Sequence, residues 1–261
     1  MLKLIPLILS AAAALTACAV SPTGRQQFIF MTDDQMSQLG LQAFDNLKRE
    51  KPVSNNAKFQ QISQCVAQAL TAQTGGRWEV VVFDDATPNA FALPGNKIGV
   101  HTGMLQIIDN QDQLAAVVGH EIGHVIARHS NERASQEVAV NQGLALIQAV
   151  SAPQSALGQT AVGLLGLGAQ YGVLMPYSRL HESEADIIGV DLMAKAGFDP
   201  KQSIALWQKM SQLSQGQQPV EFLSTHPSNS TRIGQLEAHM PTALQYYQQA
   251  QSLGRQPGCT Q

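Results

Sequence analysis

Five residues constrain this chain more than any others: His120-Glu121-Ile122-Gly123-His124, set in the apolar run LAAVVGHEIGHVIARH. On a helix, positions i and i+4 share one face, so both imidazoles can reach a single ion. Two neutral imidazole nitrogens suit Zn²⁺. Glu121 follows the first histidine and cannot share its ligand position. It can reach a water held at the metal and take its proton. A fold that carries this pattern must bury a helix beside a cleft. It must also bring a third ligand from elsewhere in the chain and keep one position open.

The later segment Ser178-Arg179-Leu180-His181-Glu182-Ser183-Glu184-Ala185-Asp186 offers that ligand. Glu182 and Asp186 are four apart on one helical face. One carboxylate can bind the metal while the other orients a ligating imidazole. By chemistry alone His181 and Glu184 compete for the role.

HEIGHVIARHS, followed by SRxxExxAD, resembles the M48 family of zinc metallopeptidases, the HtpX- and Oma1-like group, and within it the short periplasmic lipoprotein members. Asn89-Ala90-Phe91 with Pro94-Gly95, and Thr225-His226-Pro227-Ser228 with Arg232-Ile233, match further segments of that family. The resemblance runs from about residue 80 to 235. It implies that Glu182 is the third ligand of one zinc per chain and that Asp186 stands behind the ligands. It places His226 near the open position, either plugging it or hydrogen-bonding the developing oxyanion. Arg179 and Arg232 are candidates to hold the carboxylates, and Arg179 is the one expected there. His101, His129, His181 and His239 are read as non-ligands, with His129 on the exposed end of the active-site helix.

The N-terminus reads as a targeting segment. Lys3 precedes an apolar run from Leu4 to Leu15, too short for a permanent membrane span. Leu15-Thr16-Ala17-Cys18 resembles a bacterial lipobox, which implies cleavage before Cys18 and acylation of that residue. Ala19 and Val20 follow, not Asp, which by the usual sorting pattern points to the outer membrane. Expected boundaries are therefore a signal peptide at 1–17, a lipidated tether at 18–33 and a metallopeptidase domain at 34–261. In an oxidising periplasm the two remaining cysteines, Cys65 and Cys259, favour a disulfide.

Periodicity predicts helices at 36–49, 59–71, from Gly103, 111–130, 177–196, from Pro200, 228–239 and 241–253. Strands are predicted at 78–83, 89–93 and 97–101 around the turn Pro94-Gly95-Asn96. Between Glu137 and Arg179 the chain carries no charge. Residues 138–173 read either as core helices, broken near Ser151-Ala152-Pro153, or as a mobile apolar cover.

The expected fold is α+β: a mostly helical zincin-type metallopeptidase domain with a small twisted β-sheet carrying an exposed edge strand. Asn89, Ala90 and Phe91 lie on that edge, where an extended peptide can pair through main-chain hydrogen bonds. Only 13% of residues are charged and the net charge is −3. No basic stripe is present, which argues against nucleic acid as a partner. The family resemblance implies an envelope endopeptidase acting on misfolded or stalled outer-membrane proteins, anchored by lipid at the inner leaflet of the outer membrane and in reach of the outer-membrane assembly machinery. The competing reading is a zinc-containing periplasmic chaperone or assembly factor whose His226 keeps the site closed.

Overall fold

The computed structural model describes residues 18–151, 178–214, 221–227 and 230–259. The chain divides into two compact units, one of residues 1–32 and 128–175, the other of 33–127 and 176–261.

In the first unit, β1 (Cys18–Val20) and β2 (Gln26–Phe28) pair antiparallel, with Cys18 opposite Phe28. Residues 18–33, expected as an irregular tether, therefore begin with a hairpin. Polar contacts fasten it to α5 (His129–Ser151). Arg25 lays its guanidinium across the Glu132 carboxylate at 2.8 and 2.6 Å. Gln27 Nε2 donates to the same carboxylate at 3.0 Å, and Asn131 Nδ2 donates to Met31 O at 2.8 Å. Charged, forked hydrogen bonds of this kind are about twice as strong as neutral ones. The expected apolar cover at 138–173 lies largely outside the described residues.

The second unit holds α1 (Asp33–Glu50), α2 (Ala57–Thr71), β3 (Glu79–Phe83), β4 (Ala90–Leu93), β5 (Lys97–His101), α3 (Thr102–Ile107) and α4 (Gln111–Ile126). After the first unit's insertion come α6 (Arg179–Ala196), α7 (Lys201–Ser214), α8 (Glu221–Thr225) and α9 (Ser230–Ser252). Local chemistry sets these boundaries. Asn56, Asn110 and Ser178 accept main-chain N–H groups at the starts of α2, α4 and α6, each such cap stabilising by about 1 kcal/mol. Gly197 ends α6 at φ 95°, a conformation that favours glycine.

Two boundaries differ from expectation. The helix predicted at 111–130 stops at Ile126, because Arg128 adopts φ 55° and turns the chain. His129 therefore opens α5 and is fully buried rather than exposed. The two helices predicted around Pro241 are one helix that runs through it.

The sheet order is β3-β5-β4, with β3 parallel and β4 antiparallel to β5. Both outer strands are edges. His101 donates its main-chain N–H to Asn89 O at 2.9 Å, so residues 89, 91 and 93 direct their main-chain groups at β5. Ala90 and Ala92 then point theirs away from the sheet. One contiguous core joins Ile62, Val66 and Leu70 of α2 to Ile98 and Val100 of β5 and to Leu114, Val117 and Ile122 of α4. Full burial of such side chains stabilises by about 1.5–3 kcal/mol each.

Candidate metal centre

Helices α4 and α6 pack closely enough to share a site because glycines line their crossing. A Cβ on Gly123 would lie 2.7 Å from Ala185 O, and one on Gly189 would lie 2.7 Å from His120 N. This contact brings Glu182, from the first turn of α6, to the histidine pair of α4. The loop after α8 brings His226 to the same point.

His120, His124, Glu182 and His226 each offer a ligand atom within 4.8 Å of the others, and all four are buried. His120 Nε2 lies 3.1 Å from His124 Nε2 and 3.2 Å from His226 Nδ1. Glu182 Oε1 lies 3.0 Å from His226 Nδ1 and 3.4 Å from His124 Nε2. A tetrahedral ion with bonds of about 2.1 Å holds its ligand atoms about 3.4 Å apart. Three imidazole nitrogens and a carboxylate at these spacings fit zinc. Glu121 Oε1 is buried without a hydrogen-bond partner among the described residues and lies 3.3 Å from His226 Nε2. An unmatched acceptor at the rim of the cage suits a proton acceptor.

The layer behind the donors is built around Arg232. Its Nε and Nη2 grip Asp186 at 2.7 and 2.8 Å, and its Nη1 lies 2.8 Å from Glu182 Oε2. Asp186 Oδ1 in turn meets His120 Nδ1 at 2.9 Å. This fixes the imidazole with Nε2 aimed into the cage. Arg232 also covers the Trp207 ring, 4.2 Å from its centroid. Phe222 stacks on His226 with centroids 4.6 Å apart.

Charge among these side chains follows from these contacts. Burial pulls the His120 imidazole down, but Asp186 and Glu182 outweigh it and lift it to about 9. Burial holds His124 well below the usual imidazole range, hence neutral. Burial would raise Glu182 and Asp186. The surrounding histidines hold Glu182 ionised, and Arg232 does the same for Asp186. Glu121 is pushed upward by burial, although the main-chain N–H of Ala92 donates to it. A buried carboxyl lifted toward neutrality is suited to taking and returning protons.

The remaining expected residues distribute as follows. Arg179, expected behind the ligands, is exposed. Helical side chains lean toward the N-terminus. At the first position of α6, Arg179 therefore leans off the helix end, and Arg232 takes the place assigned to it. His181 and Glu184 are buried but stand outside the donor cluster. The Phe91 ring packs against Gly99, where a Cβ would lie 2.2 Å away, and against Phe83. Asn89 Oδ1 accepts the Ala90 N–H at 2.9 Å. The outward main chain beside Glu121 thus belongs to Ala90 and Ala92. Ala92 was missed in the sequence, although strand alternation from Ala90 points to it. Cys65 and Cys259 are joined as a disulfide across 194 residues.

A histidine pair on one helix, a carboxylate from a second and a sheet edge beside the intervening glutamate define a zincin-type metal centre. Residues 53–240 match the model for Peptidase family M48, and the chain belongs to that family. It is 40% identical over 177 residues to the mitochondrial metalloendopeptidase OMA1 of Schizosaccharomyces pombe, covering 67% of this chain and 50% of that protein. It is 30% identical over 247 residues to the human mitochondrial metalloendopeptidase OMA1, covering 88% of this chain and 47% of that one. It is 27% identical over 208 residues to the beta-barrel assembly-enhancing protease of Escherichia coli O157:H7, covering 76% and 42%. The chain spans about half the length of the curated relatives it matches. Among the described residues, no helix is long and apolar enough to cross a membrane.

Proposed function

We propose that this chain is a zinc-dependent endopeptidase. The observation that carries the reading is the convergence of His120, His124, Glu182 and His226 on one point beside Glu121. Zinc, when bound there, polarises the scissile carbonyl and acidifies the attacking water. His120, His124 and Glu182 would hold the ion. Asp186 and Arg232 fix His120 and Glu182 in place. Glu121 takes the proton from water and returns it to the leaving amine. Ala90 and Ala92 offer their outward main-chain carbonyls to an extended substrate, their N–H groups being engaged by Asn89 Oδ1 and Glu121, which favours unfolded polypeptide with little side-chain preference.

We place the enzyme in a bacterial envelope, tethered through an acylated Cys18 to the outer membrane. Supporting this are the lipobox-like Leu15-Thr16-Ala17-Cys18 and the likeness to a beta-barrel assembly-enhancing protease. Substrates are then misfolded or stalled outer-membrane proteins, and the assembly machinery for such proteins is a partner. Trapping in envelope extracts with the Glu121→Gln chain tests this reading. Enrichment of outer-membrane proteins supports it, and recovery of unrelated proteins alone rejects it.

One observation favours a second reading. His226 Nδ1 occupies the fourth donor position, and a catalytic zinc site keeps that position open. A site closed by His226 belongs either to a latent peptidase or to a zinc-holding assembly factor. Casein cleavage by the His226→Ala chain, with and without chelator, separates them. Chelator-sensitive cleavage identifies the latent peptidase, and inert protein with full zinc content identifies the factor.

A further inference from the structure

The sheet's other edge, β3, borders a cleft of about 540 Å³ between that strand and α2, a volume typical of ligand sites. Gln64, Gln68, Thr71, Arg77, Trp78 and Val80 line it. Among the described residues, three of its polar side chains make no hydrogen bond: Trp78, Gln64 and Gln68. The Trp78 indole Nε1 is buried without a hydrogen bond among the described residues. The Gln64 and Gln68 side chains are exposed and make no hydrogen bond among the described residues. The Glu79 carboxylate is engaged by Lys48 at 3.0 Å and Lys97 at 2.7 Å. That leaves Arg77 as the charged lining residue with no ion pair among the described residues.

The chain itself shows how this edge is filled. Val53 bridges Phe83 antiparallel, and Ser54 donates its N–H to Val82 O at 2.8 Å. The segment then leaves the edge at Asn55 to begin α2. Glu79 donates to Asn96 O at 2.9 Å, so residues 79, 81 and 83 direct their main chain at β5. Val80 points its N–H and C=O outward, into the cleft. Opposite runs the row Gln64, Gln68 and Thr71 on one face of α2. Seven residues of helix span about 10 Å, or roughly three residues of extended chain. Amide heads both donate and accept, so they can follow a polar strand. A strand laid antiparallel to β3 ends beside Arg77.

We propose that this cleft binds an extended polypeptide C-terminus, added antiparallel to β3 at Val80, with its carboxylate on Arg77 and polar side chains against Gln64 and Gln68. The inference does not depend on the metal reading, because binding here needs neither zinc nor cleavage.

The test uses the full chain carrying Glu121→Gln. Fluorescein-labelled Ser-Val-Thr-Val-Val is titrated by anisotropy, once with a free carboxylate and once as the C-terminal amide. Amidation or Arg77→Ala is expected to weaken binding by about tenfold, the loss of one charge-assisted hydrogen bond. Val80→Pro removes the outward donor while leaving the β5 ladder intact and is expected to abolish binding. Gln68→Glu, an exposed change that leaves the fold unaltered by circular dichroism, is expected to weaken the carboxylate peptide more than the amide. Equal binding of the two peptides, or undiminished binding by the Arg77→Ala and Gln68→Glu chains, overturns the proposal. So does displacement of the peptide by a chitin oligosaccharide, which would make the cleft a glycan site.

Discussion

The two edges of the three-stranded sheet are finished in opposite ways. At β4, outward main chain meets a braced cluster of charges: Ala92 donates to Glu121, His120 is held by Asp186, and Asp186 by Arg232. At β3, the outward main chain meets Ser54 at one end and an open cleft at the other. The difference teaches where each edge's chemistry resides. Beside β4 it resides in prearranged charges that can act without moving. Beside β3 it resides in groups still waiting for a partner, suited to holding a ligand but not to transforming it.

Four perturbations sharpen this contrast. Glu121→Gln removes the proton acceptor at the committed edge without touching a metal donor. Proteolysis is expected to fall by about 10²–10⁴-fold, with one zinc per chain retained by elemental analysis. Equal activity in the variant would deny the β4 edge its special status.

The second perturbation loosens the open edge. Cys65 lies on α2, the helix that walls the β3 cleft. Cys65→Ser is expected to cost about 2–5 kcal/mol in denaturant unfolding while zinc content stays at one. Loss of zinc in that variant would show the two edges to be coupled.

Asp186→Asn strikes the support behind His120. Competition with a chelating dye is expected to show zinc bound about 10–100-fold more weakly. An unchanged affinity would mean that the cage is positioned by the helix crossing alone.

The last perturbation is pH. Without metal, His120 is lifted to about 9 by its carboxylates. Its contribution to folding is then complete below about pH 6.5, and is lost as pH rises through 9. Zinc must expel that proton, so its affinity runs the other way, falling by up to about tenfold for each pH unit below 9. Calorimetry in buffers of different ionisation enthalpy should report the released proton. Uptake without proton release would contradict the carboxylate-lifted imidazole.

The fold class and the helix of His120 and His124 were legible because both depend on spacing along the chain. A helix places i and i+4 together whatever surrounds it. Glu182 was open to competition from His181 and Glu184, since choosing among them requires the angle at which α6 crosses α4. That angle follows from contacts of Gly123 and Gly189, which no local pattern announces. Arg179 sat invitingly three residues before Glu182, while the true partner, Arg232, lies 46 residues beyond Asp186. The burial of His129 was hidden for a different reason: one residue at positive φ, Arg128, redirects a pattern that otherwise reads as continuous helix. The hairpin at Cys18 was invisible because three-residue strands fall below any periodicity signal.

The glycine-lined crossing of α4 and α6 has a consequence for when the proposed activity can begin. His120, His124 and Glu182 must meet before the ion can be gripped, so a nascent fragment that ends before residue 182 lacks the full set. On the proposed reading, a peptidase of this kind is harmless while it is still folding. It acquires teeth only once its own interior has closed.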